Sequence, residues 1–130
     1  MLLKRAAILF GIVFLVVGVL GFVPAVTPNE MLLGIFHVNA AHNVVHLLSG
    51  AVALACGLAS PGASRLYFRI FGVVYGLVAI LGMVQGNTHL LGLISNNMAD
   101  VWLHAAISIV SLILGFAVKP TAVDGRPASL

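Results

Sequence analysis

The sequence predicts an all-α protein, a four-helix transmembrane bundle, on three observations. First, 62% of its 130 residues are hydrophobic and only 7% are charged, whereas an average soluble domain carries about 25% charged residues. Nine charged side chains cannot coat a water-soluble globule. Second, the mean hydropathy is +1.19. Third, the apolar residues fall into four runs, each close to the roughly 20 residues that a helix needs to cross a bilayer.

The first run, about residues 6–23, follows Lys4 and Arg5. That start resembles a signal peptide, but no clear small-x-small cleavage site follows it, and the run is expected to stay as the first span. The second covers about 38–59, the third about 66–84 and the fourth about 99–118. Residues 119–130, with Pro120, Gly125 and Pro127, read as a disordered cytoplasmic tail. Four crossings put Lys4 and Arg5, Arg65 and Arg69, and Lys119 and Arg126 on one side. The positive-inside rule makes that side the cytoplasm, with both termini there. The sequence pI near 9.6 therefore reflects topology, and the expected partner is the lipid bilayer, not nucleic acid. A single cysteine, Cys56, excludes an internal disulfide and any Cys-rich metal framework; it reads as a small packing residue. Tyr67 and Trp102 read as anchors in the aromatic belts at opposite interfaces.

The chain also aligns with itself. Phe10-Gly11 lies over Phe71-Gly72 and Leu20-Gly21 over Leu81-Gly82 at an offset of 61. The match resumes at 58, with Leu32-Leu33-Gly34 over Leu90-Leu91-Gly92, Asn39 over Asn97, His46 over His104 and Gly57 over Gly115. Two tandem hairpin repeats, about 6–59 and 66–118, are expected. Each holds two spans, so both insert in the same direction, which implies a pseudo-twofold axis along the membrane normal. The small residues, Gly11 and Gly72 among them, suit close helix contact in lipid.

All five histidines, with Glu30, Asp100 and the asparagines, fall in the outer half or the outer loops. The second span carries Asn39-x-x-His42-x-x-x-His46 and the fourth Asn97-x-x-Asp100-x-x-x-His104. Residues three and four apart share a helix face, so each helix presents a polar stripe, and the repeat turns the stripes toward each other. His42, His46, Asp100 and His104 are the expected ligand set, with Asn39, Asn43 and Asn97 as hydrogen-bond partners around them. Ionisable groups in lipid are costly and normally face a bundle interior.

Three readings compete. Three imidazoles and a carboxylate suit a transition-metal ion such as zinc, copper or iron; Met31, Met83 and Met98 keep copper(I) open. A b-type haem between His46 and His104 would make an electron carrier, but the outer half offers no Arg or Lys for propionates. The third is an interhelical hydrogen-bond network, each link contributing about 0.6–2 kcal/mol. Proton relay or quinone chemistry is a lesser reading. His37 and His89 lie at a helix end or in a loop and read as peripheral, capping or access groups.

The stretch Gly34-Ile35-Phe36-His37-Val38-Asn39-Ala40-Ala41-His42-Asn43-Val44-Val45-His46-Leu47, followed by Gly50, together with Asn97-Met98-Ala99-Asp100-Val101-Trp102-Leu103-His104, resembles the two motifs of a family of small four-span bacterial membrane proteins that carry a domain of unknown function. The resemblance covers roughly residues 6–118. It implies the fold and the bacterial cytoplasmic membrane, and no established activity. Val101 stands where the family typically has Asn.

No recognisable nucleophile or phosphate loop is present, so enzyme activity is not expected. The function expected is transition-metal binding for sensing, storage or delivery. The alternative is a structural or accessory subunit of a larger membrane complex, or a homo-oligomer. A porter is disfavoured, because the cytoplasmic half lacks polar residues.

Overall fold

The computed structural model describes residues 1–120. The expectation of a disordered tail falls almost wholly on residues 121–130, outside the described residues. Four helices dominate: α1 (Leu2–Leu20), α2 (Ala40–Ala59), α3 (Pro61–Gln85) and α4 (Met98–Leu112), the last continuing as one wider, π-type turn over Ile113–Ala117. All four are long and apolar enough to cross a membrane. With its π-type turn the fourth span has 20 residues; the shortest span is then α1 with 19, which rises about 28 Å at 1.5 Å per residue, close to the roughly 30 Å of a hydrocarbon core.

Local signals set the helix ends. Asn39 starts α2 and Asn97 starts α4, both in extended backbone. Their side-chain oxygens accept the His42 and Asp100 amides, and at α4 the Asp100 carboxylate returns a bond to the Asn97 amide. Such reciprocal capping satisfies amides that have no partner within the helix. A single residue, Ser60, separates α2 from α3, and its hydroxyl accepts the Ala63 amide. Pro61 then occupies the first helical position, where its ring is pre-set for helix and its missing N–H costs nothing. That is why α3 begins five residues ahead of the apolar run that starts at 66.

Helix α1 packs chiefly on α2 and α3 chiefly on α4, with α2 against α3 the main contact between these hairpins. Glycines let the backbones meet. A Cβ on Gly11 would stand 2.8 Å from the Leu54 amide nitrogen, and one on Gly72 would stand 3.1 Å from that of Leu112. At Gly57 the obstruction is the Ile8 nitrogen and at Gly115 the Arg69 nitrogen, both at 2.8 Å. Outward positions such as Leu9, Leu48, Leu77 and Ile109 are exposed and apolar, as a lipid-facing surface requires.

At one end of the bundle the basic side chains close helix termini. The Lys4 ammonium donates to the Leu58 carbonyl (3.3 Å), and the Nε–H groups of Arg65 and Arg69 both donate to the Gly115 carbonyl (3.0 and 2.8 Å). Just inside lies a core of Leu3, Ala7, Ala53, Tyr67 and Phe68. Tyr67 is therefore no belt anchor. It is 3% exposed, stacks on Phe71 and donates its hydroxyl to the Ser49 carbonyl, because its polar tip finds a partner inside the bundle. Trp102, 64% exposed, does face outward.

The opposite end carries the long connections. Between α1 and α2 a 3₁₀ turn at Pro28–Glu30 leads into a small antiparallel hairpin, β1 (Met31–Leu32) and β2 (Phe36–His37), paired Met31 to His37 and Leu32 to Phe36. Its reversal passes through Leu33 and Gly34 at φ of 54° and 69°, the positive values that tight hairpins need. The α3–α4 connection repeats this in miniature. Leu90 bridges Ile94 around Leu91 and Gly92 at φ of 53° and 72°.

Candidate metal centre

Helix α2 places His42 and His46 one turn apart on its inner face, and α4 brings His104 against them. All three are buried, with exposures of 3%, 5% and 3%. One ligand nitrogen from each lies within 4.8 Å of the others. Ring centroids are 4.9 Å apart for His42 and His46, 5.6 Å for His42 and His104, and 6.1 Å for His46 and His104. Aromatic rings wall the trio, Phe14 at 5.2 Å from the His46 ring and Tyr75 at 5.5 Å from that of His104. Tyr75 is held in turn by the Ser49 hydroxyl at 2.9 Å.

Hydrogen bonding assigns the protons. The nitrogen Nδ1 of His42 lies 2.8 Å from the Ser95 carbonyl, which can only accept, so Nδ1 carries the hydrogen. In a neutral ring Nε2 is then a bare lone pair, and the His46 Nε2, 3.2 Å away, donates to it. That leaves Nδ1 of neutral His46 as a second lone pair. Nδ1 of both His46 and His104 is buried with no hydrogen-bond partner among the described residues. A buried polar atom left unpaired costs about 1–3 kcal/mol, so the trio is incomplete as a hydrogen-bond network.

Asp100 stands beside the trio and is not one of its three converging groups. It is 1% exposed, and its Oδ2 accepts the Asn97 amide at 2.9 Å and the His37 amide at 3.2 Å. It nevertheless lines one cavity of about 180 Å³ together with His42 and His46. A second cavity, of about 210 Å³, is lined by His42, His46 and His104. Besides accepting the His42 and Asp100 amides, the Asn39 and Asn97 side chains reach across the bundle. Asn39 donates its amide to the Leu93 carbonyl and Asn97 to that of Ile35, each at 2.9 Å, tying each hairpin to the other's loop. Asn43 is buried against Gly21. The ring nitrogen of His42 takes a main-chain carbonyl, Ser95, in place of a side-chain amide.

Of the peripheral histidines, His37 is half-buried with Nε2 3.6 Å from a Glu30 carboxylate oxygen. The exposed His89 ring is 6.0 Å from it, and its Nε2 lies 3.3 Å from the Ser95 hydroxyl. Sequence reasoning missed Ser95 and Asn96. Asn96 is fully buried and donates to the Gly86 carbonyl at 2.8 Å. Position 95 falls at the repeat offset of 58 from His37, the one signal that marks it.

A family model described as a domain of unknown function, DUF4383, matches residues 4–117. The chain belongs to that family. The match takes in nearly the whole of all four helices, and it agrees with the resemblance carried by the two polar motifs. No curated protein and no solved structure matches the chain. Family membership names no activity, and the chemistry has to come from the site.

That chemistry is imidazole coordination. Zinc, copper and iron all accept imidazole nitrogen, and three protein ligands leave a fourth position of a tetrahedral shell open, as in catalytic zinc sites. The bond from His42 Nδ1 to the Ser95 carbonyl is the type of outer contact that fixes a ligating ring's tautomer and orientation. A haem between His46 and His104 fits poorly. The His42 ring, with its centroid 4.9 Å from that of His46 and 5.6 Å from that of His104, sits close to the midplane between them, where the macrocycle would have to lie.

Proposed function

We propose that this membrane protein holds a transition-metal ion, zinc, copper or iron, between His42, His46 and His104, with Asp100 available from the adjoining cavity, and uses it for sensing, storage or delivery. The observation that carries the reading is the convergence of one ring nitrogen from each of three buried histidines within 4.8 Å of one another, beside which Nδ1 of His46 and of His104 has no hydrogen-bond partner among the described residues. Enzymatic turnover is not part of this reading.

The reading includes a bundle of two tandem repeats about a pseudo-twofold axis along the membrane normal, and reciprocal contacts support it. Asn39 reaches the Leu93 carbonyl as Asn97 reaches that of Ile35. His42 binds the Ser95 carbonyl as Asp100 binds the His37 amide. Every partner in these pairs is related by 58 residues. It also includes insertion in the bacterial cytoplasmic membrane with the termini in the cytoplasm. Support comes from the gathering of Lys4, Arg5, Arg65, Arg69 and Lys119 at one end, which the positive-inside rule assigns to the cytoplasmic side. The histidine trio then lies toward the outer face.

Titration of detergent-purified protein with Zn²⁺ by calorimetry tests the site. Removing one of three ligands is expected to weaken binding by about tenfold or more, as even loss of an outer partner costs 10–100-fold. Equal losses are expected for His46→Ala and His104→Ala, while full-strength binding in both variants would reject the site.

A second reading is favoured by one observation. Asn39, Asn97 and Asp100 are committed to bonds between the two hairpins, which suits a rigid accessory subunit whose exposed apolar faces pack on a larger membrane complex or a second copy. Co-purification of a stoichiometric membrane partner with a metal-free protein would favour it.

A further inference from the structure

Two cavities between the loop end of the bundle and the histidine trio share one wall. The outer one, about 250 Å³, is lined by Glu30, Asn39 and Asn43 with Thr27 and Val38. The inner one, about 180 Å³, is lined by Val38, His42, His46 and Asp100. They share a single lining residue, Val38, which is itself 4% exposed. At the mouth, the carboxylate of Glu30 is well exposed and has an oxygen 3.6 Å from Nε2 of His37, which is 29% exposed. The ring of His89, from the other hairpin, closes on His37 at 6.0 Å. A carboxylate with an imidazole beside it is a first pair of ligands for a divalent transition-metal ion arriving with its water shell. Asn43 lines the outer cavity and Asp100 the inner one.

We propose that Glu30 and His37, flanked by His89, form an outer capture point for a divalent transition-metal cation, and that the cation passes from the Glu30-lined cavity past Val38 to the trio. This rests on the metal reading of the trio. The route is a kinetic device. Glu30 concentrates cations at the mouth, and fixed charge of this kind raises association rates without changing the strength of the final site. Val38 separates the two cavities, so its bulk sets the passage. The inlet is coupled to the site it serves, because the His37 amide is bound to Asp100, which shares the inner cavity with His42 and His46.

The test is stopped-flow loading of detergent-purified protein with Co²⁺ alone, read by the visible absorption of the metal bound at the trio. A variant carrying Glu30→Gln and His37→Ala is expected to load more slowly by about tenfold or more, and to reach the wild-type final spectrum and stoichiometry. Val38→Ala is expected to load faster than wild type, and Val38→Phe more slowly. Loading of the double variant at the wild-type rate would overturn the inlet, and so would an altered final spectrum, which would make Glu30 or His37 a ligand of the final site. A wild-type protein that takes up no Co²⁺ would overturn the metal reading itself, and the final absorbance tells the two failures apart.

Discussion

Asp100 shows how one side chain serves two elements at once. Its Oδ2 closes the capping box of α4 through the Asn97 amide and, through the His37 amide, holds the end of β2 against the bundle. Replacing it with Ala leaves both amides without that acceptor, with an expected loss of about 1–3 kcal/mol in unfolding followed by circular dichroism in mixed micelles. Asp100→Asn keeps an acceptor oxygen and should lose less; equal losses for the two would mean that the bonds do not matter. The spacing of Asp100 four residues before His104 puts it on the polar stripe, and that much is legible in the sequence. Its engagement with two main-chain amides is not, since His37 is 63 residues away and no local pattern links them. His42, His46 and His104 were legible because His42 and His46 are one helical turn apart and His104 lies at the 58-residue offset at which the sequence aligns with itself. The choice of Ser95 as the partner of His42 was not, since a main-chain carbonyl has no residue signature.

At the scale of elements, equivalent caps should behave alike. Asn39 and Asn97 each cap a helix and each donate to a carbonyl of the other hairpin. Asn39→Ala and Asn97→Ala are each expected to cost about 1–3 kcal/mol from cap and crosslink together, measured by the same unfolding experiment. Unequal effects beyond that range would break the equivalence of the two hairpins. Close packing gives a parallel prediction. Gly11→Val and Gly72→Val both push a side chain into the facing helix backbone, and overpacking of this kind costs about 1–3 kcal/mol. A variant that unfolds as the wild type does would show that the helices can part freely there. The spans themselves were legible as apolar runs, because the lipid-facing side of a spanning helix must be apolar along its whole length. The β1–β2 hairpin was not. Two-residue strands show no alternation, and the Leu33–Gly34 reversal sits inside the apolar stretch Met31 to Phe36, without the Asn-Gly or Asp-Gly pair that marks a tight hairpin. The early start of α3 was signalled by Ser60-Pro61, a cap and first-turn pair that hydropathy alone passes over.

For the whole molecule, the basic end and the histidine end lie on opposite sides of the bundle, so orientation decides which compartment the site faces. With Cys56 replaced by Ser, a single cysteine introduced at Ile35 in the β1–β2 turn is expected to react with a membrane-impermeant maleimide on intact cells, whereas one introduced at Ala6 is not. The reverse pattern would put the trio on the cytoplasmic side. The membrane class and the layout of four crossings follow from composition and run length, whereas the incomplete hydrogen bonding at the trio emerges only in three dimensions, since it depends on what does not reach His46 and His104. That incompleteness is the ground for a metal ion, and its most direct test is the metal and haem content of the full chain purified in mild detergent without a histidine tag or chelator. The expected result is about one equivalent of zinc, copper or iron per chain, no haem, and loss of the metal when His46 and His104 are replaced. A well-folded protein that contains no metal and takes none up on titration would contradict it.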